Sequence, residues 1–238
     1  MEFEGIRVSA GRARGPAHLA PHPLDGGTGP SGSVLIVATN WWPPASFRPP
    51  AVSGIVLDGL APLRVGAPSV PVVADLPSDL FREGEIVEID GDRGSASVPG
   101  LRRVDVVTAF LERSDGKVLL LRRSERVGSF RGRWAGVSGY LEDPTAELQA
   151  IREIAEETGV AASDLSLERT GRFVYARKGA TVYAVHPFRF RTRRSDVRLD
   201  WEHTESEWVD PAVFRERSTV PNLERAWKAV APPVVQKG

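Results

Sequence analysis

Residues 143–160 carry the most constraining pattern in the chain, a set of signals for one amphipathic helix. Asp143 is a natural N-cap, because its carboxylate can accept hydrogen bonds from the free N–H groups of a first helical turn. Pro144 suits the first helical position. Gly159 is the residue type that most readily adopts the left-handed conformation just beyond a helix end. The pattern predicts a helix over residues 144–158.

Three glutamates in this helix, Glu153, Glu156 and Glu157, have the spacing i, i+3 and i+4, which puts their side chains on one face. Like charges at this spacing cost about 0.2–0.5 kcal/mol per pair on an exposed helix. One interpretation is a solvated acidic face in which Arg152 pairs with Glu156. The other is a site for a hard cation such as Mg²⁺, which prefers oxygen ligands in octahedral geometry.

The composition excludes several other kinds of site. Lys+Arg and Asp+Glu are both 31 among the 238 residues, so no global positive field attracts nucleic acid or an anionic membrane. The chain has no cysteine, which excludes disulfides, thiolate metal sites and a cysteine nucleophile. Apolar runs such as residues 118–121 are too short to span a bilayer, and the N-terminus lacks a basic, apolar leader. We therefore expect a cytoplasmic protein without membrane or nucleic-acid partners.

The first hundred residues have the turn-rich pattern of a small, mostly β domain. Pro99-Gly100 is the predicted boundary, which gives one domain over residues 1–99 and a second over residues 100–238. In the first domain, β-branched runs bounded by turn residues predict strands at residues 34–38, 52–57, 70–74, 86–89 and 95–98.

The second domain begins with strands at residues 104–111 and 117–121, joined around Ser114-Asp115-Gly116, which is a favourable hairpin turn. Further strands are predicted at residues 173–175, 181–190 and 208–209, and a closing helix at residues 222–230.

Residues 152–160, REIAEETGV, match the second half of the Nudix box, R-E-U-x-E-E-x-G-U with U aliphatic, at every fixed position. The preceding segments KVLLLRR (117–123), GRW (132–134) and SGYLE (138–142) resemble the strand, tryptophan and glycine loop that precede this helix in the family. The C-terminal part of the chain, residues 101–233, therefore resembles a Nudix hydrolase domain. The resemblance implies an α/β/α sandwich with a mixed sheet, and hydrolysis of a diphosphate linkage in a nucleoside diphosphate derivative.

The resemblance also implies which carboxylates hold a divalent cation, Mg²⁺ or alternatively Mn²⁺. Glu156 and Glu157 correspond to the main metal ligands, and Glu153 to a further ligand or the general base. Glu202 corresponds to a late acidic ligand or base, with Glu205 as the nearby alternative. Gly139 corresponds to a residue whose backbone carbonyl lies near the metal.

Basic and aromatic residues around these carboxylates are the candidate contacts for the substrate. Arg122, Arg133 and Trp134 are the predicted substrate-binding residues, and Arg123 is a further candidate for phosphate. Arg152 is the implied structural partner of the loop before the helix.

One position departs from the family pattern. The full box begins G-x5-E-x7-R, which requires a glutamate eight residues before Arg152, and this chain has Pro144 there. A one-residue deletion after Glu142 accounts for the change. The missing glutamate supports the arginine in the family, so Glu142 or Asp143 is the candidate substitute. Loss of such a supporting group typically weakens metal binding or activity about 10- to 100-fold.

Residues 4–17, 70–73 and 80–94 resemble the swivelling β/β/α domain of phosphoenolpyruvate-utilising enzymes. Those enzymes carry a phosphoryl-accepting histidine in a stretch that corresponds to residues 58–66 here, and this stretch contains no histidine. His18 and His22 lie instead in an early proline-rich segment. The resemblance implies an accessory domain for binding or assembly.

The sequence thus predicts a chain of the α/β (α+β) class, in which a small, mostly β, swivelling-like domain precedes a metal-dependent Nudix hydrolase domain. A Nudix-fold protein with weakened catalysis, acting as a nucleotide sensor or scaffold, is the alternative that Pro144 raises. The oligomeric state stays open. A homodimer is the candidate assembly. The tryptophan- and proline-rich loop at residues 40–50 either packs against its own domain or forms an exposed recognition or interface loop.

Overall fold

A computed structural model describes residues 1–20, 30–38, 51–59 and 69–233 of the chain. The tryptophan- and proline-rich loop at residues 40–50, His22 and most of the histidine-free stretch at residues 58–66 lie outside these described residues.

The chain divides into two compact units. Met1–Arg103 and Tyr175–Val182 form the first, and Val104–Val174 and Tyr183–Gly238 form the second. The assignment of residues 1–99 and 100–238 to separate domains stays a prediction.

Eight strands among the described residues form the sheet of the first unit: β1 (Glu2–Glu4), β2 (Ile6–Ser9), β3 (Arg12–Ala20), β4 (Val34–Val37), β5 (Gly54–Leu57), β6 (Val72–Ala74), β7 (Ile86–Asp90) and β8 (Ser95–Ser97). Their order is β1-β8-β7-β3-β4-β5-β6-β2. The strands from β3 to β6 pair in parallel, and the outer pairs are antiparallel. The uninterrupted aliphatic residues of β4 and β5 are fully buried, as expected for parallel strands inside a sheet.

The second sheet also has eight strands: β9 (Arg102–Glu112), β10 (Val118–Arg123), β11 (Trp134–Ala135), β12 (Val137–Tyr140), β13 (Leu165–Thr170), β14 (Val174–Lys178), β15 (Thr181–Thr192) and β16 (His203–Val209). Its central path is β11-β10-β9-β15-β13, with β16 paired to β10, β12 to β9 and β14 to β15. Two α-helices accompany it, α1 (Ala146–Thr158) and α2 (Leu223–Val230). No helix in the described residues is long and apolar enough to cross a membrane.

The side chains of β10 alternate between two cores, one on each face of the second sheet. Leu119 and Leu121 pack into the core that contains Ile154 of α1. Val118 and Leu120 pack into the core that contains Trp227 of α2. Since successive residues of a strand point to opposite faces, the apolar run of β10 serves both cores at once. The predicted α/β/α sandwich of the α+β class is confirmed.

The start of α1 differs from the prediction by two residues. Thr145, and not Asp143, is the N-cap, and its hydroxyl accepts a hydrogen bond from the backbone N–H of Leu148 at 3.2 Å. The N–H of Asp143 instead donates to the side chain of Gln149 at 2.9 Å, and the Asp143 carboxylate lies 3.2 Å from Arg152 Nε. These contacts hold Asp143 and Pro144 in the preceding loop. The helix ends as predicted, with Gly159 in the left-handed conformation at φ 70°.

Candidate active site

The three glutamates of α1 have very different exposures. Ile154 and Ala150 anchor the helix in the core beneath the sheet, so side chains beside this apolar stripe are partly covered. Glu157 is 2% exposed, Glu153 is half-buried and Glu156 is exposed to solvent. The predicted acidic face therefore runs from the interior to the surface of the second unit.

Glu157 has one satisfied and one unsatisfied carboxylate oxygen. Its Oε1 accepts a hydrogen bond from the backbone N–H of Ser138 in β12 at 3.3 Å. Its Oε2 is buried without a hydrogen-bond partner and lies 3.7 Å from Nε2 of His203, which is also buried and unpartnered. The other ring nitrogen of His203 contacts Asp200 Oδ1 at 3.0 Å. Asp200, His203 and Glu157 thus form a chain of polar groups leading into the protein.

Negative charge accumulates around Glu157. Burial, and then the Glu153 carboxylate, raise the pKa of Glu157 well above its ordinary value, with further contributions from Asp200 and Glu202. Burial raises the pKa of Glu153 as well, and the charges of Glu156 and Glu202 act in the same direction. The pKa of Glu202 is raised by burial and by Asp200. The carboxylates of α1 and of the segment before β16 are therefore close enough to repel one another.

Glu153 occupies a slot between β12 and its own helix. A Cβ added to Gly139 of β12 would overlap the Glu153 carboxylate, so any other residue here would displace this side chain from its position. On the other side, Gln149 Nε2 donates to Glu153 Oε1 at 2.6 Å, and this bond lowers the pKa of Glu153 against the larger effect of burial. The role of the Gly139 carbonyl as a metal ligand stays a prediction. The space that Gly139 leaves for Glu153, by having no side chain, is a feature of the packing.

Arg152 has partners in the place of the missing glutamate. Its Nη2 donates to Gln149 Oε1 at 2.9 Å and to Glu142 Oε2 at 3.3 Å. The Asp143 carboxylate lies 3.2 Å from Arg152 Nε. Both expected substitutes, Glu142 and Asp143, therefore contact the arginine, and Gln149 contributes a third group.

The predicted substrate-binding arginines of β10 and its hairpin point in different directions. Arg122 lies on the α2 side of the sheet, where it pairs with Glu205 directly across from it on β16 at 2.5 Å. Arg123 follows one residue later and therefore lies on the α1 side. There its positive charge acts against the larger effect of burial on the pKa of Glu202, and adds to the burial that lowers the pKa of the His203 imidazole.

The other two predicted substrate contacts are engaged with the segment before α2. Arg133 Nη1 donates to Ser218 Oγ at 3.4 Å and to the Thr219 carbonyl at 3.2 Å. The Trp134 ring lies 5.2 Å from the guanidinium of Arg217. Of the arginines named from the sequence, Arg123 is the one whose charge acts on Glu202, and substrate roles for Arg122, Arg133 and Trp134 stay predictions.

Gln149, His203 and Asp200 are part of this arrangement but were not singled out from the sequence. The position of Gln149, one turn before Glu153 on the same helix face, is a signal that sequence reasoning could have used. His203 directly follows Glu202, but its burial depends on the pairing of β16 with β10. A local pattern does not reveal that pairing.

The donor chemistry of this cluster fits a hard divalent cation. Glu153, Glu156, Glu157 and Glu202 offer only carboxylate oxygens, which Mg²⁺ and Mn²⁺ favour. The unpartnered Glu157 Oε2 and the mutual repulsion are what a bound cation would relieve. Within the described ranges, no three His, Asp or Glu side chains already converge as a coordination group. The residues thus fit a cation in charge and chemistry, without a preformed cage.

Solved structures with a similar fold include the MutT protein from Methanosarcina mazei Go1, at 24% identity and a TM-score of 0.47 over 56% of this chain and 94% of that one. A C. elegans Ap4A hydrolase in a binary complex is 19% identical, with a TM-score of 0.46 over 53% and 93% of the two chains. The NUDIX domain of Shewanella oneidensis NrtR in complex with ADP ribose is 20% identical, with a TM-score of 0.43 over 54% and 86%.

No curated protein matches the chain. The sequence model of the NUDIX domain matches residues 102–229, more than half of the chain and the whole length of α1. The match includes both the intact REIAEETGV block and the shortened loop before it. The chain therefore belongs to the Nudix family.

Proposed function

We propose that this Nudix protein is a metal-dependent hydrolase that cleaves a diphosphate linkage in a nucleoside diphosphate derivative. The observation that carries the proposal is the cluster of carboxylates from two separate segments of the chain. After the larger effect of burial, the charge of Glu202, which precedes β16, contributes to the raised pKa of Glu153 and of Glu157 in α1. Partly buried carboxylates whose pKa is raised by burial and by neighbouring charge are typical of catalytic and metal-binding centres.

Glu153, Glu156 and Glu157, together with the backbone carbonyl of Gly139, are the proposed ligands of Mg²⁺ or Mn²⁺. A bound cation supplies Lewis-acid neutralisation of the negative charge on the diphosphate. Without it, the acidic cluster would repel an anionic substrate.

Glu202 is the proposed general base. Burial and Asp200 raise its pKa, and a carboxylate with a raised pKa accepts a proton from an attacking water more readily. Two hydrogen bonds fix the backbone of Glu202. Its N–H donates to Asp200 Oδ1 at 3.1 Å, and its carbonyl accepts from Ser124 N at 2.7 Å. The positive charge of Arg123 beside it is the proposed contact for a phosphate oxygen.

The test is a hydrolysis assay of the purified chain with nucleotide sugars, dinucleotides and nucleoside triphosphates, each with Mg²⁺ or Mn²⁺, with products identified by ³¹P NMR. We expect turnover of at least one compound, and a loss of about 100-fold or more in kcat for Glu156→Gln. Glu147→Gln, an exposed change in the first turn of the same helix, is the matched control. Absence of turnover on the whole panel, or turnover that Glu156→Gln leaves unchanged, would falsify the proposal.

The second candidate is a ligand-sensing protein that keeps the fold but does not hydrolyse efficiently. It is favoured by Pro144 in place of the motif glutamate and by the absence of a converged coordination group among the described residues. Isothermal titration with the same nucleotides separates the two functions. Tight binding without turnover, together with millimolar metal affinity, supports sensing.

A further inference from the structure

Gln149 is a fully buried amide in the first half of α1, four residues before Glu153. A glutamine side chain has an acceptor oxygen and a donor NH₂ group, and burying them without partners is costly. Both ends of Gln149 have partners. They connect two parts of the site that are separate in sequence, namely the loop before α1 and the glutamate face of α1.

The oxygen of Gln149 holds the shortened loop. Oε1 accepts hydrogen bonds from the backbone N–H groups of Glu142 and Asp143, each at 2.9 Å, and from Arg152 Nη2 at 2.9 Å. Two adjacent amides directed at one buried oxygen fix the path of the chain at the residues that precede Pro144. The loop is therefore anchored at the place where the motif glutamate is missing.

The NH₂ group of Gln149 holds Glu153. Nε2 donates to Glu153 Oε1 at 2.6 Å, while the carboxylate lies against the bare Cα of Gly139. One carboxylate oxygen is thus occupied by the amide. The same oxygen, Oε1, is the Glu153 atom nearest to Gly139, so the amide and the slot act together on one end of the carboxylate.

We infer that Gln149 is a positioning residue for Glu153, and that it joins the shortened loop to the metal-binding face of α1 where the motif glutamate does not. The inference rests on the proposed function, because it takes Glu153 as a ligand. The amide chemistry is specific. A glutamate at position 149 would accept from the loop amides but could not donate to Glu153 when ionised.

A double-mutant cycle on Mn²⁺ affinity tests the inference without any measurement of activity. Affinity is measured by electron paramagnetic resonance of free Mn²⁺ for the wild type, Gln149→Met, Glu153→Ala and the double variant of the full chain. Methionine keeps the unbranched shape but removes both hydrogen-bonding ends. We expect Gln149→Met to weaken Mn²⁺ binding about 10- to 100-fold. Gln149→Met should cause no further loss once Glu153→Ala has removed the oxygen that accepts from Gln149.

Two further variants separate positioning from folding. Thr145→Ala removes the N-cap of the same helix, so it should lower the unfolding temperature but leave Mn²⁺ affinity as in the wild type. Gln149→Asn keeps an amide but shortens its reach by one methylene, so it should also lose Mn²⁺ affinity. It takes the place of Gln149→Met in the test if Gln149→Met does not fold.

The outcomes distinguish the inference from the function on which it rests. A wild type that binds Mn²⁺ no more tightly than Glu156→Gln overturns the proposed metal site and the inference with it. Tight wild-type binding that persists in both Gln149 variants overturns the inference alone. The same holds for losses from Gln149→Met and Glu153→Ala that simply add in the double variant, because Gln149 would then not act through Glu153.

Discussion

Glu157 is held in the folded protein at a cost. Its carboxylate is 2% exposed, Oε2 has no hydrogen-bond partner, and burial and the charge of Glu153 raise its pKa above the ordinary 4.5. A carboxyl group with a raised pKa in the folded state binds more protons there than in the unfolded chain. Below pH 4.5 the carboxyl is protonated in both states, so its ionisation does not change the free energy of unfolding. As the pH rises from 4.5 through the raised pKa, the folded protein becomes progressively less stable.

Glu157→Gln should consequently stabilise the metal-free protein. Glutamine cannot ionise, its oxygen can still accept from Ser138 N, and its NH₂ can donate toward His203 Nε2. In EDTA, we expect the free energy of unfolding of this variant to exceed that of the wild type by about 1–3 kcal/mol at pH 8, with a smaller difference at pH 5. Urea denaturation at both pH values measures this.

Addition of Mn²⁺ should raise the free energy of unfolding more for the wild type than for Glu157→Gln, because the variant lacks one of the proposed ligands. His203, whose pKa burial lowers, is present in both proteins, so its titration contributes to both curves. A difference in stability that stays constant from pH 5 to pH 8 would show that the Glu157 carboxyl does not titrate in this range.

The three glutamates of α1 could be placed on one face from the sequence because the helical repeat alone fixes their arrangement, whereas Glu202 was named only from the family resemblance. The partners of the arginines could not. Arg122 and Arg123 are adjacent in sequence, and the one that approaches Glu202 is decided by which face of β10 covers α1. Gln149 was missed because a polar residue on an amphipathic helix is ordinarily exposed. Its burial depends on the path of the preceding loop, and the sequence shows that this loop is short but not which path it takes.

At the scale of elements, the Glu153 carboxylate of α1 fills the space beside Gly139 of β12. The backbone of Gly139 is not in the left-handed region, so alanine is compatible with the strand, and the obstacle is the Glu153 carboxylate. We expect Gly139→Ala to fold but to displace Glu153, and to lower kcat by about 100-fold, the typical effect of misplacing a reacting group by about 1 Å.

Gly128→Ala is the matched control for this prediction, because a Cβ at Gly128 meets no atom within 4 Å. Hydrolysis rates and circular dichroism of the two variants are compared. Full activity in Gly139→Ala would mean that Glu153 does not need its slot.

The elements themselves were largely readable from the sequence. β9, β10, β14, β15 and both helices lie close to their predicted ranges, because hydrophobic runs and turn residues bound them. β16 is longer than the predicted residues 208–209, and β11, β12 and β13 were not predicted. The start of α1 also differs: Asp143 and Thr145 are both good caps, and the contacts of Asp143 with Gln149 and Arg152 decide between them. Such contacts depend on tertiary structure.

At the scale of the whole molecule, the segment Tyr175–Val182 belongs to the first compact unit although it follows α1 in the sequence. Its Tyr175 ring packs edge-on against Phe3 at 5.3 Å, and its hydroxyl accepts from Glu4 N at 3.0 Å. Arg177 forms a bidentate pair with Glu85, at 2.6 and 2.7 Å, and donates to the Leu80 carbonyl. No local pattern indicates this association.

Arg177→Ala should therefore destabilise the first unit. The arginine side chain is 6% exposed, but Glu85 is 27% exposed and can be rehydrated. We expect a loss of about 2 kcal/mol, below the roughly 3–5 kcal/mol of a fully buried pair.

Calorimetry of the full chain with and without Mn²⁺ measures the effect. If the two units unfold separately, the transition lowered by Arg177→Ala should not be the one that Mn²⁺ raises. Arg177→Lys keeps the charge but not the bidentate geometry, and should show an intermediate loss. An unchanged calorimetric profile in Arg177→Ala would contradict the assignment of this segment to the first unit.

The anchoring of the loop before α1 also bears on how such chains can diverge. Gln149 grips that loop through main-chain amides, which every residue type except proline supplies, so the grip itself places little restriction on the side chains at positions 142 and 143. Searches for relatives that insist on the first glutamate of the box would overlook sequences of this kind. Relatives that lack this glutamate and have a loop one residue short are predicted to carry a glutamine three residues before the arginine.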